Sequence, residues 1–375
     1  MSQPAVREIP HAAVGRPSRA KLSALNAVSG AALRVLPRIP NPVKRLLLGG
    51  RRVTVDGNTL DTTLQLMLTM QKASGTSGLV ASEDLAVSRS QLRLLAGLID
   101  APISVQTAEK TVAGAAGSLR ARHYAPAEAP GGAESAAPLL VYYHGGGFAV
   151  GDIATHDALC RLLCRDGGMH VLSVEYRLAP EHKAPAAVED AYAAYLWAVE
   201  HAAELGADPR RVAVGGDSAG GNLAAVVSML ARNEGAQSPA LQLLLYPVVY
   251  SFHGDTRSKN LFAEGYFLTK PDMDWFESLY LSGASVDTSD PRISPLLADD
   301  LTGLPPAVVV TAGFDPLRDE GDRYAEALIA AGVAVDHRRF GTLVHGFANF
   351  FPLGGDSATA TAEVVSAVRA HLSRG

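Results

Sequence analysis

Cysteine is scarce in this chain of 375 residues, which contains two thiols, Cys160 and Cys164. So few thiols exclude a disulfide-stapled scaffold. In the stretch "CRLLC" they are spaced like neighbours on adjacent helical turns, whose Cβ atoms lie about 5–6 Å apart. A disulfide needs about 3.5–4.5 Å between Cβ atoms, so we expect two free, half-buried thiols. A metal site is disfavoured, because no second pair of ligands follows at zinc spacing.

A strong net charge and a long apolar run are also missing. The formal net charge of −5, with 47% hydrophobic and 19% charged residues, is that of an ordinary globular protein and gives no reason to expect a nucleic-acid partner. The apolar stretch at residues 20–36 is too short and too interrupted to span a bilayer. It does not resemble a signal peptide either, which predicts a cytoplasmic protein.

Charge is nevertheless spread unevenly along the chain. Residues 1–52 contain ten Lys or Arg against one acidic residue, Glu8, whereas the remainder contains 23 basic and 37 acidic residues. A basic amphipathic helix at residues 20–36 would favour peripheral contact with an anionic membrane. The alternative is that this segment simply packs on the body of the protein, and the sequence leaves both open.

After residue 138 the chain alternates between strand-like and helix-like segments. A continuous apolar run predicts a buried strand at 139–144, and further short segments predict strands at 170–176, 211–216, 241–247, 306–313 and 334–340. Helical spacing of apolar residues predicts helices at about 155–166, 188–205, 219–233, 317–331 and 358–373. This alternation predicts an α/β fold with parallel β-α-β units and helices on both faces of the sheet.

Two regions do not fit the alternation: residues 1–100, mainly helical, and residues 251–285, rich in aromatic side chains. In such folds ligands bind at the carboxyl ends of the strands, so an insertion after a strand lies over that site. We therefore interpret both regions as parts of a helical cap. Residues 101–250 and 286–375 then form the α/β domain.

The stretch "VAVGGDSAGGNL" places Ser218 between a predicted strand and a predicted helix. Its G-x-S-x-G spacing in a strand–turn–helix context is typical of a nucleophile elbow. Such a turn holds the serine in a strained conformation with its Oγ outward, and Gly216 and Gly220 leave room where side chains would collide. The N-terminus of the following helix also favours developing negative charge. Ser218 is therefore the predicted nucleophile.

A serine nucleophile needs a base, and four histidines follow it: His253, His337, His345 and His371. The first lies in the predicted cap, the second in mid-strand and the last in the terminal helix. His345 lies in a loop directly after a strand, where it can reach the serine. We therefore expect it to be the base.

The base needs an orienting acid, and the stretch "TAGFDPLRDEGDRY" offers four acidic residues. Asp315 belongs to the loop directly after a strand, because Pro316 suits the first turn of a helix. The helix then carries the other three as solvated charges: Asp319, Glu320 and Asp322. The chain order serine, aspartate, histidine agrees with that of α/β-hydrolases.

The stretch "YYHGGGFAVGD" follows the first predicted strand and places His144 before three glycines, Gly145, Gly146 and Gly147. Consecutive glycines let backbone N–H groups point into a cavity without obstruction, as an oxyanion hole requires. A phosphate-binding loop is the rival explanation, but no Gly-Lys-Ser/Thr follows. A further N–H is expected from Ala219, the residue after the nucleophile.

Six motifs in this order resemble the hormone-sensitive-lipase family of α/β-hydrolases, in its bacterial esterase branch: "HGGG" (144–147), "YRLAPEH" (176–182), "GDSAGGN" (216–222), "DPRISPL" (290–296), "DPLRDEG" (315–321) and "VHGF" (344–347). The resemblance covers roughly residues 100–375 and implies an α/β-hydrolase fold, with a mostly parallel eight-stranded sheet and a helical cap. It also implies that Ser218 is the nucleophile, Asp315 the orienting acid and His345 the base.

Carried over by motif, the same resemblance implies that Gly145, Gly146 and Ala219 form the oxyanion hole. Asp217 places the chain in the branch that has Asp before the serine. The "YRLAPEH" motif is expected to be structural.

Family membership further implies a serine esterase or lipase without cofactor or metal, acting on small-molecule esters of short to medium acyl chains. Two alternatives stay open. Some relatives are amidases or deacetylate small molecules, and the family includes a plant hormone receptor that has lost the catalytic histidine. The presence of His345 argues against such a non-catalytic binder. A homodimer is a further expectation.

Overall fold

The chain builds one large twisted sheet with helices on both faces, in a computed structural model that describes residues 33–76, 78–80, 82–127, 136–250 and 255–373. Residues 1–32 of the basic segment 1–52, and with them most of the amphipathic helix expected at residues 20–36, lie outside the described residues. The strands are β1 (Thr54–Val55), β2 (Asn58–Thr59), β3 (Gln106–Gly114), β4 (Gly117–Ala125), β5 (Ala137–Tyr143), β6 (His170–Val174), β7 (Ala207–Asp217), β8 (Gln242–Leu245), β9 (Ala307–Phe314) and β10 (Val335–Val344).

Eight of these strands form the main sheet, in the order β10-β9-β8-β7-β5-β6-β4-β3. Neighbouring strands from β10 to β6 run parallel, whereas β4 is antiparallel to both of its neighbours. Strands β5, β8 and β9 are buried along their whole length, because helices cover both faces of the sheet. The structure therefore confirms the predicted mostly parallel, eight-stranded sheet.

Helices lie in the segments between the strands of the main sheet, and further helices precede β3 and follow β10. The α-helices are α1 (Asn41–Leu47), α2 (Thr62–Ala73), α3 (Leu85–Leu98), α4 (Asp157–Gly167), α5 (Ala186–His201), α6 (Ala219–Asn233), α7 (Arg257–Leu261), α8 (Lys270–Leu281), α9 (Arg318–Ala330) and α10 (Gly355–Leu372). Short 3-10 turns lie at Leu36–Arg38, Ala154–His156, Ala203–Leu205, Pro295–Leu297 and Phe347–Leu353. No helix in these described ranges is long and apolar enough to cross a bilayer.

Each face of the sheet packs on its own hydrophobic core, as strand β5 illustrates. Its residues Leu139, Val141 and Tyr143 face the core that contains α5, α6 and α9. The intervening Leu140 and Tyr142 face the core that contains α4 and α10. This alternation follows from the two-residue repeat of a strand, and it explains why the run "LLVYYH" has no polar gap.

The antiparallel hairpin β3–β4 was not among the predicted strands. The outer strand, β3, is mostly exposed, and β4 mixes exposed with buried residues, so neither strand is a continuous apolar run. The small hairpin β1–β2 likewise lies inside the region expected to be mainly helical. Both hairpins are short or edge elements whose stability depends on neighbours distant in sequence, so local pattern carries little signal for them.

Four strands of the sheet end directly before a residue that the motifs single out. Strand β5 ends before His144, β7 before Ser218, β9 before Asp315 and β10 before His345. Since these strands run parallel, their carboxyl ends meet at one edge of the sheet. The fold therefore gathers the candidate residues at a single place.

Candidate active site

Ser218 lies in the tight turn between β7 and α6, with backbone angles φ 56° and ψ −117°. A positive φ is costly for a residue with a side chain, so the turn stores strain at this position. A Cβ at Gly216 would collide with the backbone of Gly220, and one at Gly220 would collide with the carbonyl oxygen of Tyr143. The geometry therefore agrees with the predicted reason for the two glycines, which is that side chains at these positions would collide with the backbone.

Ser218, His345 and Asp315 form one hydrogen-bonded chain. The Ser218 Oγ lies 2.9 Å from His345 Nε2, and His345 Nδ1 lies 2.8 Å from Asp315 Oδ2. The carboxylate is fully buried and also accepts the N–H of Leu317 at 2.8 Å. The rings of Tyr246 and His345 pack edge to face, with centroids 4.9 Å apart. Burial and these contacts fix the imidazole in one orientation.

Asp217 anchors the turn from the other side of the serine. Its Oδ1 accepts the Tyr142 hydroxyl at 2.7 Å, and its Oδ2 lies 3.3 Å from Nε2 of His156 and accepts from Asn349 at 3.1 Å. Burial would raise the pKa of Asp217, but the neighbouring His156 and the hydrogen bonds outweigh it and lower the pKa to about 2. Asp217 is therefore ionised across the physiological range.

Gly145 does not fit its expected role as an oxyanion-hole donor. Its N–H donates to Asp217 Oδ1 at 2.9 Å, so it is not free to bind a substrate oxygen. Among the described residues, no acceptor takes the N–H of Gly146, Gly147 or Ala219. In place of Gly145, which holds the Asp217 carboxylate, Gly147 therefore provides the third unpaired N–H group.

The other histidines lie where the sequence suggested, apart from His253, which falls outside the described residues. His337 lies within β10, with its Nε2 3.0 Å from an oxygen of Asp322. His371 lies in α10, 3.6 Å from Asp336. His144 stacks on the Tyr176 ring with centroids 4.4 Å apart, behind the glycine loop.

The expectation that the acidic residues of α9 are solvated is wrong for Glu320. This carboxylate is fully buried, and its Oε1 accepts the N–H groups of Val249 and Tyr250 at 3.0 and 3.1 Å. Its Oε2 lies 2.8 Å from the Lys259 ammonium. Asp319 and Asp322 are half-buried and hydrogen-bonded. Because an acid on an amphipathic helix normally faces water, nothing in the local pattern signals this burial.

Two cavities meet at Ser218. The first, here called the His345-side cavity, has a volume of about 290 Å³, and its walls include His345, Gly146, Leu92 and Leu95. The second, here called the Lys259-side cavity, has a volume of about 320 Å³, and its walls include Gly147, Met273, Phe276, Leu317 and Lys259. Helix α3 lines the first cavity, and α7 and α8 line the second.

Two contacts that the sequence did not reveal connect the helices around the cavities. Asp272 of α8 accepts the N–H groups of Leu79 and Val80, each at 3.0 Å, and so joins the segments before residue 100 and after residue 250. Arg89 of α3 donates to the carbonyl oxygen of Ala149 at 2.8 Å, next to the glycine loop. Neither residue belongs to a recognisable motif, so tertiary structure is needed to find them.

Of the aromatic residues expected to shape the pocket, Phe262 is fully buried and packs on Phe314 in the core. Tyr266 packs on the same two rings. Phe267 does line the His345-side cavity. The two thiols Cys160 and Cys164 are free, as predicted, and both are buried rather than half-buried.

Comparison with known proteins identifies the relatives of this chain. A family model described as an α/β-hydrolase fold matches residues 140–349. The carboxylic ester hydrolase LipN of Mycobacterium tuberculosis is 57% identical, over 91% of this chain and 91% of its own length. The carboxylesterase NlhH of the same organism is 44% identical over 63% of this chain and 74% of its own.

Solved structures lead to the same group of proteins. An esterase from Pyrobaculum calidifontis superposes with a TM-score of 0.76 at 39% identity, covering 83% of this chain and 98% of the esterase. The carboxylesterase EstE1 from a metagenomic library superposes with a TM-score of 0.72 at 45% identity, covering 77% of this chain and 98% of EstE1. With its motifs, sheet and relatives in agreement, the chain belongs to the hormone-sensitive-lipase family of α/β-hydrolases.

Proposed function

We infer that the protein is a serine carboxylic-ester hydrolase that works through an acyl-enzyme, with Ser218 as nucleophile, His345 as base and Asp315 as orienting acid. The observation that carries the inference is the hydrogen-bonded chain from the Ser218 Oγ through both imidazole nitrogens to the buried carboxylate. LipN, a relative named as a carboxylic ester hydrolase, matches about nine-tenths of the chain and supports the inference.

The first half of the reaction forms the acyl-enzyme. As the Ser218 oxygen attacks the ester carbonyl, its proton passes to His345 Nε2, and Asp315 stabilises the resulting imidazolium. The carbonyl oxygen becomes an oxyanion, for which the free N–H groups of Gly146, Gly147 and Ala219 are the proposed donors. His345 then protonates the leaving alkoxide as the carbon–oxygen bond breaks.

The second half releases the acid. A water molecule gives a proton to His345 Nε2 and attacks the acyl carbonyl in the same donor set. Collapse of this second intermediate returns the proton to the Ser218 oxygen and frees the carboxylic acid. Ester and water are the two reactants of this scheme, and the chain supplies every other group that it uses.

The two irregular segments form the proposed cap and set the size of the substrate. Residues of α3 and α8 line the two cavities, and the Asp272 contacts with the backbone of Leu79 and Val80 join the segments. Cavities of about 290 and 320 Å³ lie at the lower limit of the volumes of small-molecule sites. We propose that the substrates are esters of short to medium acyl chains.

Replacement of Ser218 by alanine tests the assignment. Ser218→Ala should lower kcat for p-nitrophenyl esters by at least about 10³-fold, because the covalent step is lost, while substrate binding persists. His345→Ala should behave alike, whereas the matched control His371→Ala should keep wild-type turnover. A wild-type protein that hydrolyses no p-nitrophenyl ester of any chain length would refute the proposal.

We also propose peripheral contact with anionic membranes through the start of the described chain. Leu46 and Leu47 at the end of α1 have 78% and 61% of their surface exposed, and Arg45, Arg51 and Arg52, close to them in sequence, are exposed as well. Exposed apolar side chains accompanied by arginines are the composition of an interfacial segment. The charge excess of residues 1–52 adds to the attraction.

Vesicle co-sedimentation tests this contact. Wild-type protein should bind vesicles of phosphatidylcholine with phosphatidylglycerol, bind less as salt rises, and ignore pure phosphatidylcholine. The pair Leu46→Glu and Leu47→Glu should lose binding. Ile329→Glu, which introduces a glutamate at an exposed apolar position of α9, should still bind the vesicles. Equal binding by both variants would overturn the proposal.

The expected homodimer stays a prediction. The main sheet has edges at β3 and β10, and an unpaired edge is a template for a second copy. Sedimentation velocity of the full chain across a concentration series decides between a monomer and a dimer.

A further inference from the structure

The two cavities differ in one respect that bears on the reaction: His345 lines the first and not the second. In the scheme above, this imidazole must deliver a proton to the leaving alcohol, so the alcohol has to lie on its side of Ser218. The acyl chain then extends into the other cavity. The His345-side cavity is thus the alcohol site and the Lys259-side cavity the acyl site.

The walls of the Lys259-side cavity are of two kinds. One part is apolar and consists of Phe148, Val248, Leu268, Met273, Phe276 and Leu317. The other part is charged and includes the buried pair of Lys259 and Glu320. An acyl chain gains from the first part by burying methylene groups, each of which raises kcat/KM by about fourfold when fully buried.

The charged part of the wall is a desolvated ion pair. The Lys259 ammonium and Glu320 carboxylate are 2.8 Å apart, with side-chain exposures of 12% and 0%. The lysine also donates to the carbonyl oxygen of Tyr250 at 3.3 Å, and the glutamate accepts two backbone N–H groups. Both partners are therefore tied to the loop after β8, and the pair is not free to move aside.

We propose that the Lys259–Glu320 pair determines acyl-chain specificity by ending the apolar part of the acyl site. A chain that outgrows the apolar wall must strip the remaining water from the pair or push its partners apart, and an apolar methyl group offers neither charge a replacement. The preference for short and medium chains follows. This inference rests on the proposed ester hydrolysis at Ser218.

The experiment compares acyl-chain profiles at constant leaving group. Wild-type protein and the double variant Lys259→Met with Glu320→Gln are assayed on p-nitrophenyl esters from acetate to laurate. The introduced glutamine keeps an oxygen for the two backbone N–H groups, and the introduced methionine keeps the length of the lysine. The double variant should shift its optimum to longer chains, with kcat/KM for the longest esters rising about tenfold relative to acetate.

The control is Lys72→Met, which makes the same substitution at an exposed lysine of α2 that lines neither cavity and leaves the buried pair intact. Its acyl-chain profile should equal that of the wild type. If the double variant is not folded by circular dichroism, Lys259→Met alone serves, because burial raises the pKa of Glu320 and favours its neutral form once the ammonium is gone.

Each outcome separates the two proposals. An unchanged optimum in a folded, active variant overturns the role of the ion pair, whereas a wild type without any esterase activity overturns the proposed function itself. A second series, acetate esters of lengthening alcohols, should be unaffected by the double variant. A change in the alcohol profile instead of the acyl profile overturns the assignment of the two cavities.

Discussion

At the scale of single residues, Asp315 is the group whose effect on the imidazole can be isolated. Its buried carboxylate accepts from His345 Nδ1 at 2.8 Å, which leaves Nε2 unprotonated and facing the serine. In Asp315→Asn an amide N–H faces Nδ1, so the proton moves to Nε2 and the base is lost. We expect kcat for a p-nitrophenyl ester to fall by about 10³–10⁴-fold.

The structure itself should survive that change, because the asparagine oxygen can still accept the Leu317 N–H. The comparison variant is Asp336→Asn, which alters a half-exposed carboxylate paired with Arg338. It should leave kcat within about twofold, since surface pairs contribute little. A fall in kcat that is equal in both variants would mean that the loss reflects damage to folding.

Among single residues, some members of the site can be predicted from the sequence and others cannot. The serine, the acid and the base could be predicted because each lies just beyond the end of a predicted strand, and a strand end marks the ligand-binding edge of a parallel sheet. The choice among three consecutive glycines could not, since their spacing says nothing about which N–H the Asp217 carboxylate takes. The burial of Glu320 depends on Lys259, which lies on a different element.

At the scale of elements, helix α3 is fastened to the glycine loop by Arg89. Its guanidinium donates to the carbonyl oxygens of Ala149 and Ala179 and pairs with Glu181. The N–H of Ala149 in turn donates to the Gly146 carbonyl oxygen at 3.1 Å. A helix that shapes the alcohol side of the site is thereby coupled to the turn that carries the proposed oxyanion donors.

Arg89→Met should therefore lower kcat by about tenfold as well as raise KM, because a small displacement of the donors weakens transition-state binding. Glu181→Gln removes the half-exposed partner and leaves both carbonyl contacts, so its effect should be smaller. Steady-state kinetics of both variants, with Arg120→Met as a control at an exposed arginine, measure this. If KM alone changes in Arg89→Met, the helix binds substrate without positioning the loop.

Helices and strands whose residue pattern is set by the local sequence were predicted well. Those that depend on neighbouring strands were predicted less well. Helix α6 occupies the predicted residues 219–233, since its apolar spacing, its glycine-rich start and its polar end agree. Strand β10 extends four residues beyond the prediction, to Val344, past Gly341, a residue type that is depleted in strands. Its register with β9 shifts between Phe340 and Val344, which only the neighbouring strand reveals.

At the scale of the whole molecule, the proposed cap is assembled from segments far apart in the chain. The sequence indicated both segments because they interrupt the α/β alternation. It could not indicate how they meet, since the hydrogen bond between Asp272 and the Leu79 N–H spans 193 residues. Long-range contacts of this kind follow from the completed sheet and leave no trace in local periodicity.

The stability of the whole molecule should fall in mild acid because the fold buries neutral histidines. Burial, together with His170 and Lys110, lowers the pKa of His123 to about 4, and burial beside His156 lowers that of His144 to about 4. The ordinary value is 6.5, so between 6.5 and about 4 the unfolded chain binds protons that the folded chain does not. The contribution of these two histidines to the free energy of unfolding therefore decreases as the pH falls through that window.

Urea denaturation at neutral pH and near pH 5 measures this loss of stability. One variant shows how much of the loss is due to His123. His123 Nε2 lies 2.9 Å from His170 Nδ1, a contact that needs one nitrogen without a proton. His123→Gln keeps a donor for His170 but cannot titrate, so its midpoint should change less between the two pH values than that of the wild type. His156, whose raised pKa keeps it protonated below 6.5 in both states, cannot produce the effect. A midpoint that drops equally in His123→Gln would place the acid sensitivity at the other two buried histidines with a lowered pKa, His144 and His170.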